Sequence, residues 1–211
     1  SQGEGLGNQL LSNIRECDAI CHVVRCFENA DITHVEGDVD PIRDIEIINL
    51  ELIFADLATV ENRITKVERK AQVKDKDAVF EFALLKKIQE TLMAEKPVRS
   101  MDLEKEEWDH LKSFNLLTSK PVLYIENLSE DEVAEPDLCV HFQRVREFAD
   151  AENNHVIPVC ARMEEELAEL DKEERKMFLE ELGVTQSGLD QVITTAYEIL
   201  GLCTFFTVGE P

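Results

Sequence analysis

The sequence predicts an α/β protein, a parallel sheet whose strands are separated along the chain by an antiparallel helical coiled-coil arm. Three observations predict it. Apolar runs at residues 19–27, 121–128 and 155–161 have the length of strands. Amphipathic helical segments alternate with the later runs, and strand–helix–strand alternation builds a parallel sheet with right-handed crossovers. Between the first two runs lies a seam of Leu50, Ile53, Leu57, Val60, Ile64, Val67 and Ala71. Its steps of three and four residues, sustained over three heptads, mark a coiled coil rather than a globular helix face.

Taken in order, Gly5-Leu6-Gly7-Asn8 reads as a loop feeding a helix over 9–17, with Leu10, Leu11 and Ile14 on one face. The run at 19–27, flanked by Asp18 and Glu28, fits a strand buried on both faces. Residues 28–41 are a loop, and the long seam helix begins near Ile42. A polar turn at 72–76 leads to a second helix, to about residue 94, with Phe82, Leu85, Ile88 and Leu92 inward. A short turn between two such helices makes an antiparallel hairpin. Pro97 closes it, and a shorter helix at 103–116 carries the single Trp, Trp108. The strand at 121–128 is followed by a helix at 138–152 and the strand at 155–161. Acidic helices then cover 163–170 and 172–182, and Ser187 caps a last helix to Leu200. Residues 203–207 read as a strand or a linker.

The 211 residues hold 45 acids against 22 bases, a formal charge of −23, and are 44% hydrophobic. That suffices for a buried core in one or two domains and disfavours wholesale binding to a phosphate backbone. No apolar run approaches the ~20 residues of a membrane span, so no membrane partner is expected. Six cysteines without a Cys-x-x-Cys pair suggest reduced, buried thiols and a cytoplasmic protein. The chain starts at Ser1 without a Met or a signal peptide and reads like a protein joined in progress. Charge is uneven: 8 acids and 2 bases over 1–40, 16 and 14 over 41–120, 21 and 6 over 121–211. Within the middle part, Lys66, Arg69, Lys70, Lys74 and Lys76 face only Glu68 and Asp75. This is either a solvated charge run or a basic tip that touches RNA or an acidic partner.

In open parallel sheets, ligands bind beyond the carboxyl ends of the strands. Three such ends are visible, after Phe27, at 127–130 and at 160–163. Asn127-Leu128-Ser129-Glu130 has the position of the Asn-Lys-x-Asp loop that reads guanine, altered at two places. The loop's Asp accepts from guanine N1–H and N2–H₂, a donor pair adenine lacks. The longer Glu130 misplaces that acceptor and weakens a guanine preference, while Leu128 supplies apolar cover in place of a lysine stem. Cys160-Ala161-Arg162 stands where a Ser-Ala-Lys loop would back the base. The Gly-rich opening with Asn13-Ile14-Arg15 looks like the end of a mobile switch segment.

With these residues a resemblance becomes specific. The runs His22-Val23-Val24-Arg25-Cys26-Phe27, Asp31-Ile32-Thr33-His34-Val35, Val39-Asp40-Pro41 and Asp44-Ile45-Glu46 are close to the wording of the Obg-like ATPase family, YchF type. So are Leu117-Thr118-Ser119-Lys120-Pro121 and Phe205-Phe206-Thr207, and the similarity covers essentially the whole chain. The resemblance implies a partial Ras-like P-loop NTPase domain with an inserted arm, ahead of a small TGS domain. On that scheme residues 1–48 are nucleotide-binding domain with the second-switch helix, and 49–118 are the arm. Residues 119–203 are the base-recognition half, and 204–211 start the linker to the TGS domain.

The resemblance also implies an activity: binding of ATP, and of GTP more weakly, slow hydrolysis to ADP, and ribosome association, as a translation- or stress-linked switch. Asn127 would bond the adenine, with Leu128 and Glu130 completing the base loop and Cys160, Ala161 and Met163 lining its other side. Phe27 either flanks the base or is a strand-end core aromatic. The family's loop histidine, which stands in for a catalytic glutamine in orienting water, matches His34; imidazole suits that task near neutral pH. The other reading of His34 is a polar loop residue. Lys66, Arg69, Lys70, Lys74 and Lys76 would carry ribosome or ribosomal RNA contacts. No His–Cys set has metal-site spacing.

No Gly-x₄-Gly-Lys-Ser/Thr loop occurs in the 211 residues, so Mg²⁺ would be bound with ATP by residues preceding Ser1. These residues alone are therefore expected to hydrolyse ATP poorly. A monomer is expected. The competing readings are a non-enzymatic module whose arm binds ribosomal RNA or protein, and an acidic scaffold with no ligand.

Overall fold

The computed structural model describes residues 2–27 and 39–203. They fall into two compact units, one of Ser1–Ile20 with Arg43–Pro121, the other of Cys21–Ile42 with Val122–Pro211.

The first unit is built on a helical hairpin. Helix α1 spans Gln2–Arg15, and α2 spans Pro41–Gln72, most of it in this unit. Every residue of the predicted seam on α2 is buried or half-buried, with Ile53 and Val60 1% exposed. Lys74, at φ 61°, turns the chain, and the Asp75 carboxylate accepts from the Ala78 N–H to start α3 (Lys76–Met93). The chain doubles back, so Arg63 Nε of α2 meets Glu81 Oε1 of α3 at 2.6 Å. Ile53, Val60, Leu84, Leu85, Ile88 and Leu92 share one core with Val98, Leu111, Phe114 and Leu116. Each such side chain, fully buried, stabilises by about 1.5–3 kcal/mol.

Two expectations for this unit change. The loop expected at 5–8 is helical, because α1 begins at Gln2. Its glycines cost about 1 kcal/mol each in a helix, but its far end is tied down and helix propagation from an anchored turn is cheap. The helix expected over 103–116 is α4 (Lys105–Leu111) followed by a 3₁₀ turn, ending at Asn115 with φ 50°. Asn tolerates this left-handed conformation, and the break lets Leu116 and Leu117 enter the core, each 1% exposed or less.

The tie is a buried cluster around Asp56, which is 0% exposed. Its carboxylate accepts from the Leu117 N–H (2.9 Å), the Thr118 N–H (2.7 Å), the Thr118 hydroxyl (2.8 Å) and Arg15 Nη1 (3.2 Å). Arg15 also donates to Thr59 Oγ1 and to the carbonyls of Ala55 and Asn115. Lys120 Nζ in turn donates to the carbonyl of Arg15.

The second unit is a three-stranded sheet in the order β1 (Ile20–Arg25), β2 (Val122–Asn127), β3 (His155–Val159). It is parallel. Tyr124 pairs with Val156 and Asn127 with Val159, and the N–H groups of Ile20 and Cys26 climb in step onto the carbonyls of Pro121 and Asn127. After β2 come α5 (Glu130–Ala134) and α6 (Val140–Ala151); after β3 come α7 (Ala161–Glu169), α8 (Lys172–Glu181) and α9 (Gly188–Ile199). The two faces of β2 are covered differently. Leu123 and Ile125 pack with Ile157, Val159 and the α9 residues Val192 and Ile199. On the opposite face, Tyr124 meets Phe148 of α6 edge-on with ring centroids 6.0 Å apart.

The Ser187 cap forms as expected, its hydroxyl accepting from the Asp190 N–H. Two-sided burial of the first strand does not hold. Among the described residues Cys21 is exposed and Val23 is 64% exposed, because successive side chains of a strand point to opposite faces and only the face carrying Val24 and Cys26 is covered. Of the six free cysteines, Cys26, Cys139 and Cys160 are buried, whereas Cys17, Cys21 and Cys203 are exposed, contrary to the expectation of buried thiols. Among the described residues no helix is long and apolar enough to cross a membrane.

Candidate functional site

Because the strands are parallel, their carboxyl ends share one edge of the sheet. Backbone bonds tie this edge together: Cys26 N–H to the Asn127 carbonyl at 3.1 Å, and Leu128 N–H to the Val159 carbonyl at 2.8 Å. Asn127 Oδ1 accepts from the backbone N–H of Ala161 at 3.0 Å. This fixes the amide and leaves its Nδ2 as the donor that a ligand can use.

Glu130 is the first residue of α5 and is exposed. Its carboxylate forms an ion pair with Arg162, Nε to Oε1 3.0 Å. Both side chains are largely in solvent, so the pair adds little stability, but it engages the carboxylate that would have to accept from guanine. The helix starting there is set by Ser129 and Glu132, whose side chains cap each other's backbone N–H groups. This Ser-x-x-Glu box is a signal legible in the sequence that the sequence reading passed over.

Phe27 is half-buried just past β1, with the Arg25 guanidinium 5.4 Å from its ring centroid and Arg25 Nε donating to its carbonyl at 3.0 Å. Asn127 and Ala161 are thus brought together by a hydrogen bond, and Glu130 and Arg162 by an ion pair. Leu128, 1% exposed, is turned into the core. Cys160, 4% exposed, and the half-buried Met163 line a mostly apolar cavity of about 240 Å³ together with Val133, Leu167, Leu179 and Gly188. Asn127, Glu130 and Ala161 are not among that cavity's lining residues. His34 lies outside the described residues.

Beneath the edge sits a pair the sequence reading missed. Cys26 and Glu126 are both 0% exposed, and the thiol donates to Glu126 Oε2 at 3.0 Å. Burial pushes the Glu126 carboxyl up to about 8, against the pull of the thiol bond and of Arg146. Burial, and then the nearby carboxylate, push the Cys26 thiol up as well. The available signal was an acid inside the apolar run Val122-Leu123-Tyr124-Ile125.

In the other unit, Lys66, Arg69 and Lys70 lie on the last turns of α2, Lys74 in the turn and Lys76 at the start of α3. All five are exposed. Among the described residues, no group of three or more His, Cys, Asp or Glu side chains could hold a metal ion.

No protein-family model matches the chain. It is 58% identical over 210 residues to the ribosome-binding ATPase YchF of Bacillus subtilis, covering 100% of this chain and 57% of that protein. It is 49% identical over 209 residues to the protein of the same name from Haemophilus influenzae, covering 99% of this chain and 57% of the relative. The chain therefore spans little more than half the length of the curated relatives it matches. The solved structure of the Schizosaccharomyces pombe YchF GTPase superposes with a TM-score of 0.85 at 33% identity, over 96% of this chain and 55% of that one. By likeness along its whole length, and by its α/β fold, the chain belongs to the Obg-like family of YchF type.

Proposed function

We propose that these residues form the base-recognising part and the arm of a ribosome-associated, cytoplasmic ATPase. In the intact protein it binds ATP, and GTP more weakly, and hydrolyses it as a translation- or stress-linked switch. One observation carries the reading: the Ala161 N–H orients the Asn127 amide at the carboxyl edge of a parallel sheet, with its Nδ2 left to donate to a purine nitrogen. The Glu130–Arg162 ion pair supports adenine over guanine, because it competes for the carboxylate that guanine would need. On this reading Phe27 flanks the base, Leu128 anchors the loop from within the core, and Cys160, Ala161 and Met163 back it from α7. His34 orients the attacking water. Mg²⁺ comes with the nucleotide, held by phosphate-loop residues that these 211 do not include, so on their own they turn ATP over poorly. The protein acts as a monomer, and the domain scheme is 1–48 and 119–203 for the nucleotide-binding domain, 49–118 for the arm and 204–211 for the following linker.

ATP and GTP affinities of the intact protein test this. Asn127→Ala is expected to weaken ATP binding about 3- to 10-fold, the worth of one hydrogen bond between neutral groups. Tighter binding of GTP than of ATP, or an Asn127→Ala variant that binds ATP normally, overturns it.

A second reading, that the arm itself docks on ribosomal RNA or protein, is favoured by the exposed basic cluster at the hairpin tip and by the ribosome-binding names of the relatives. Reversing Lys66, Arg69, Lys70, Lys74 and Lys76 should reduce cosedimentation with ribosomes and flatten its salt dependence. Unaltered sedimentation removes this reading.

A further inference from the structure

We propose that Glu126, buried against Cys26 beneath the base-binding edge, is a positioning residue for that edge: uncharged, it leaves the ends of β1 and β2 packed, and ionised, its unmatched oxygen disturbs them, so that purine affinity falls. The inference rests on the reading of Asn127 as a base ligand.

The geometry places the pair directly under that edge. Cys26 follows the last residue of β1, and Glu126 is the residue before Asn127 in β2. The thiol satisfies Oε2 at 3.0 Å, while Oε1 is buried and has no hydrogen-bond partner among the described residues. A neutral carboxyl tolerates this arrangement; a carboxylate with one weak donor and no second partner does not.

The surrounding elements add little relief. Beyond β1 stands the Cys26 thiol itself. Cys139, 7% exposed, caps α6 and lies 3.7 Å from the Glu132 carboxylate of α5. Arg146 of α6 attracts Glu126, but its guanidinium is bonded to Asp137. His22 and Tyr124 lie on the same sheet face, their ring centroids 5.7 Å apart. Once ionised, Glu126 is relieved by admitting water or by parting the strand ends. Either displaces the Asn127 peptide, whose carbonyl holds the Cys26 N–H, and with it the amide that the Ala161 N–H orients.

The test uses the intact protein and ATP, titrated calorimetrically between pH 7.5 and 9.0, where the nucleotide's own phosphates no longer change charge. Far-UV circular dichroism in the same buffers monitors the fold. With the carboxyl titrating near 8, wild-type affinity should weaken about tenfold across this range. Glu126→Gln, a neutral isostere, should bind at every pH as wild type does at 7.5, and Glu126→Leu should be equally flat, covering the case in which the Gln variant does not fold. Cys26→Ala, which removes a bond favouring the carboxylate, should move the fall to higher pH. A flat wild-type profile, or Gln and Leu variants that track wild type, overturns the proposal. If Asn127→Ala binds ATP as wild type does, the base-ligand reading is what fails; if it weakens binding at all pH values while Glu126→Gln tracks wild type, the positioning role alone fails.

Discussion

Each unit buries one carboxylic acid completely, and the two are furnished in opposite ways. Asp56, inside the helical hairpin unit, receives four donors on its two oxygens. Glu126, inside the sheet unit, receives one thiol, and its other oxygen goes unmatched. The first arrangement joins α1, α2 and the 115–118 segment into one piece and commits every donor it meets. The second leaves an acid whose charge state is set by its surroundings, one residue from the candidate base ligand. A buried acid that is fully met is a fastening; one that is half met can respond to pH.

The sharpest way to break the contrast is Asp56→Ala. It strands three buried donors and the Arg15 guanidinium, so urea unfolding should show a loss of about 3–5 kcal/mol. A loss below 1 kcal/mol would mean the cluster is no fastening.

Next comes Glu126→Gln, read as stability rather than affinity. The wild-type carboxyl is raised in the fold. Its contribution is therefore intact below the ordinary value of 4.5 and is lost as the pH climbs through about 8. The variant should match wild type near pH 4 and exceed it by on the order of 5 kcal/mol at pH 9, with a correspondingly higher melting temperature. Equal melting temperatures at pH 9 would remove the asymmetry.

The smallest effect is expected at Glu81, a half-buried acid between the two extremes. Burial raises its carboxyl, but hydrogen bonds from Arg63 and His110 outweigh this and hold it below 4.5. The stability it contributes is present above 4.5 and disappears as the pH falls through the lowered value. Glu81→Gln should cost about 1 kcal/mol at pH 7 and progressively less as the pH falls below 4.5. A pH-independent cost would assign the effect to packing.

Much of this was legible in the chain itself, wherever one period dominates. The 3–4 stepping from Leu50 to Ala71 is enough to specify the hairpin, and Ser187 is enough to start the last helix. Asn127 was legible as a ligand candidate from its place at a strand end. Illegible were the features that depend on partners far along the chain. Asp56 looks like any acid beside an apolar seam until Leu117 and Thr118, some sixty residues on, present their N–H groups. Val23 reads as core until the fold shows that the covered face of β1 is that of Val24 and Cys26. Cys160 and Met163 follow a strand as a base-backing loop would, and that they also line an apolar cavity depends on Leu179, which lies some sixteen to nineteen residues further on.

The Asp56 cluster also dictates an order of events during synthesis. The hairpin core can zip as soon as α3 has left the exit tunnel, since its contacts are local. Arg15 can meet Ala55, Asp56 and Thr59 once α2 is made, but the Asp56 carboxylate must wait for Leu117 and Thr118. At ~5–20 residues per second, that leaves Asp56 incompletely met for roughly 3–12 s after it is made, a window in which a nascent-chain chaperone could still reach it.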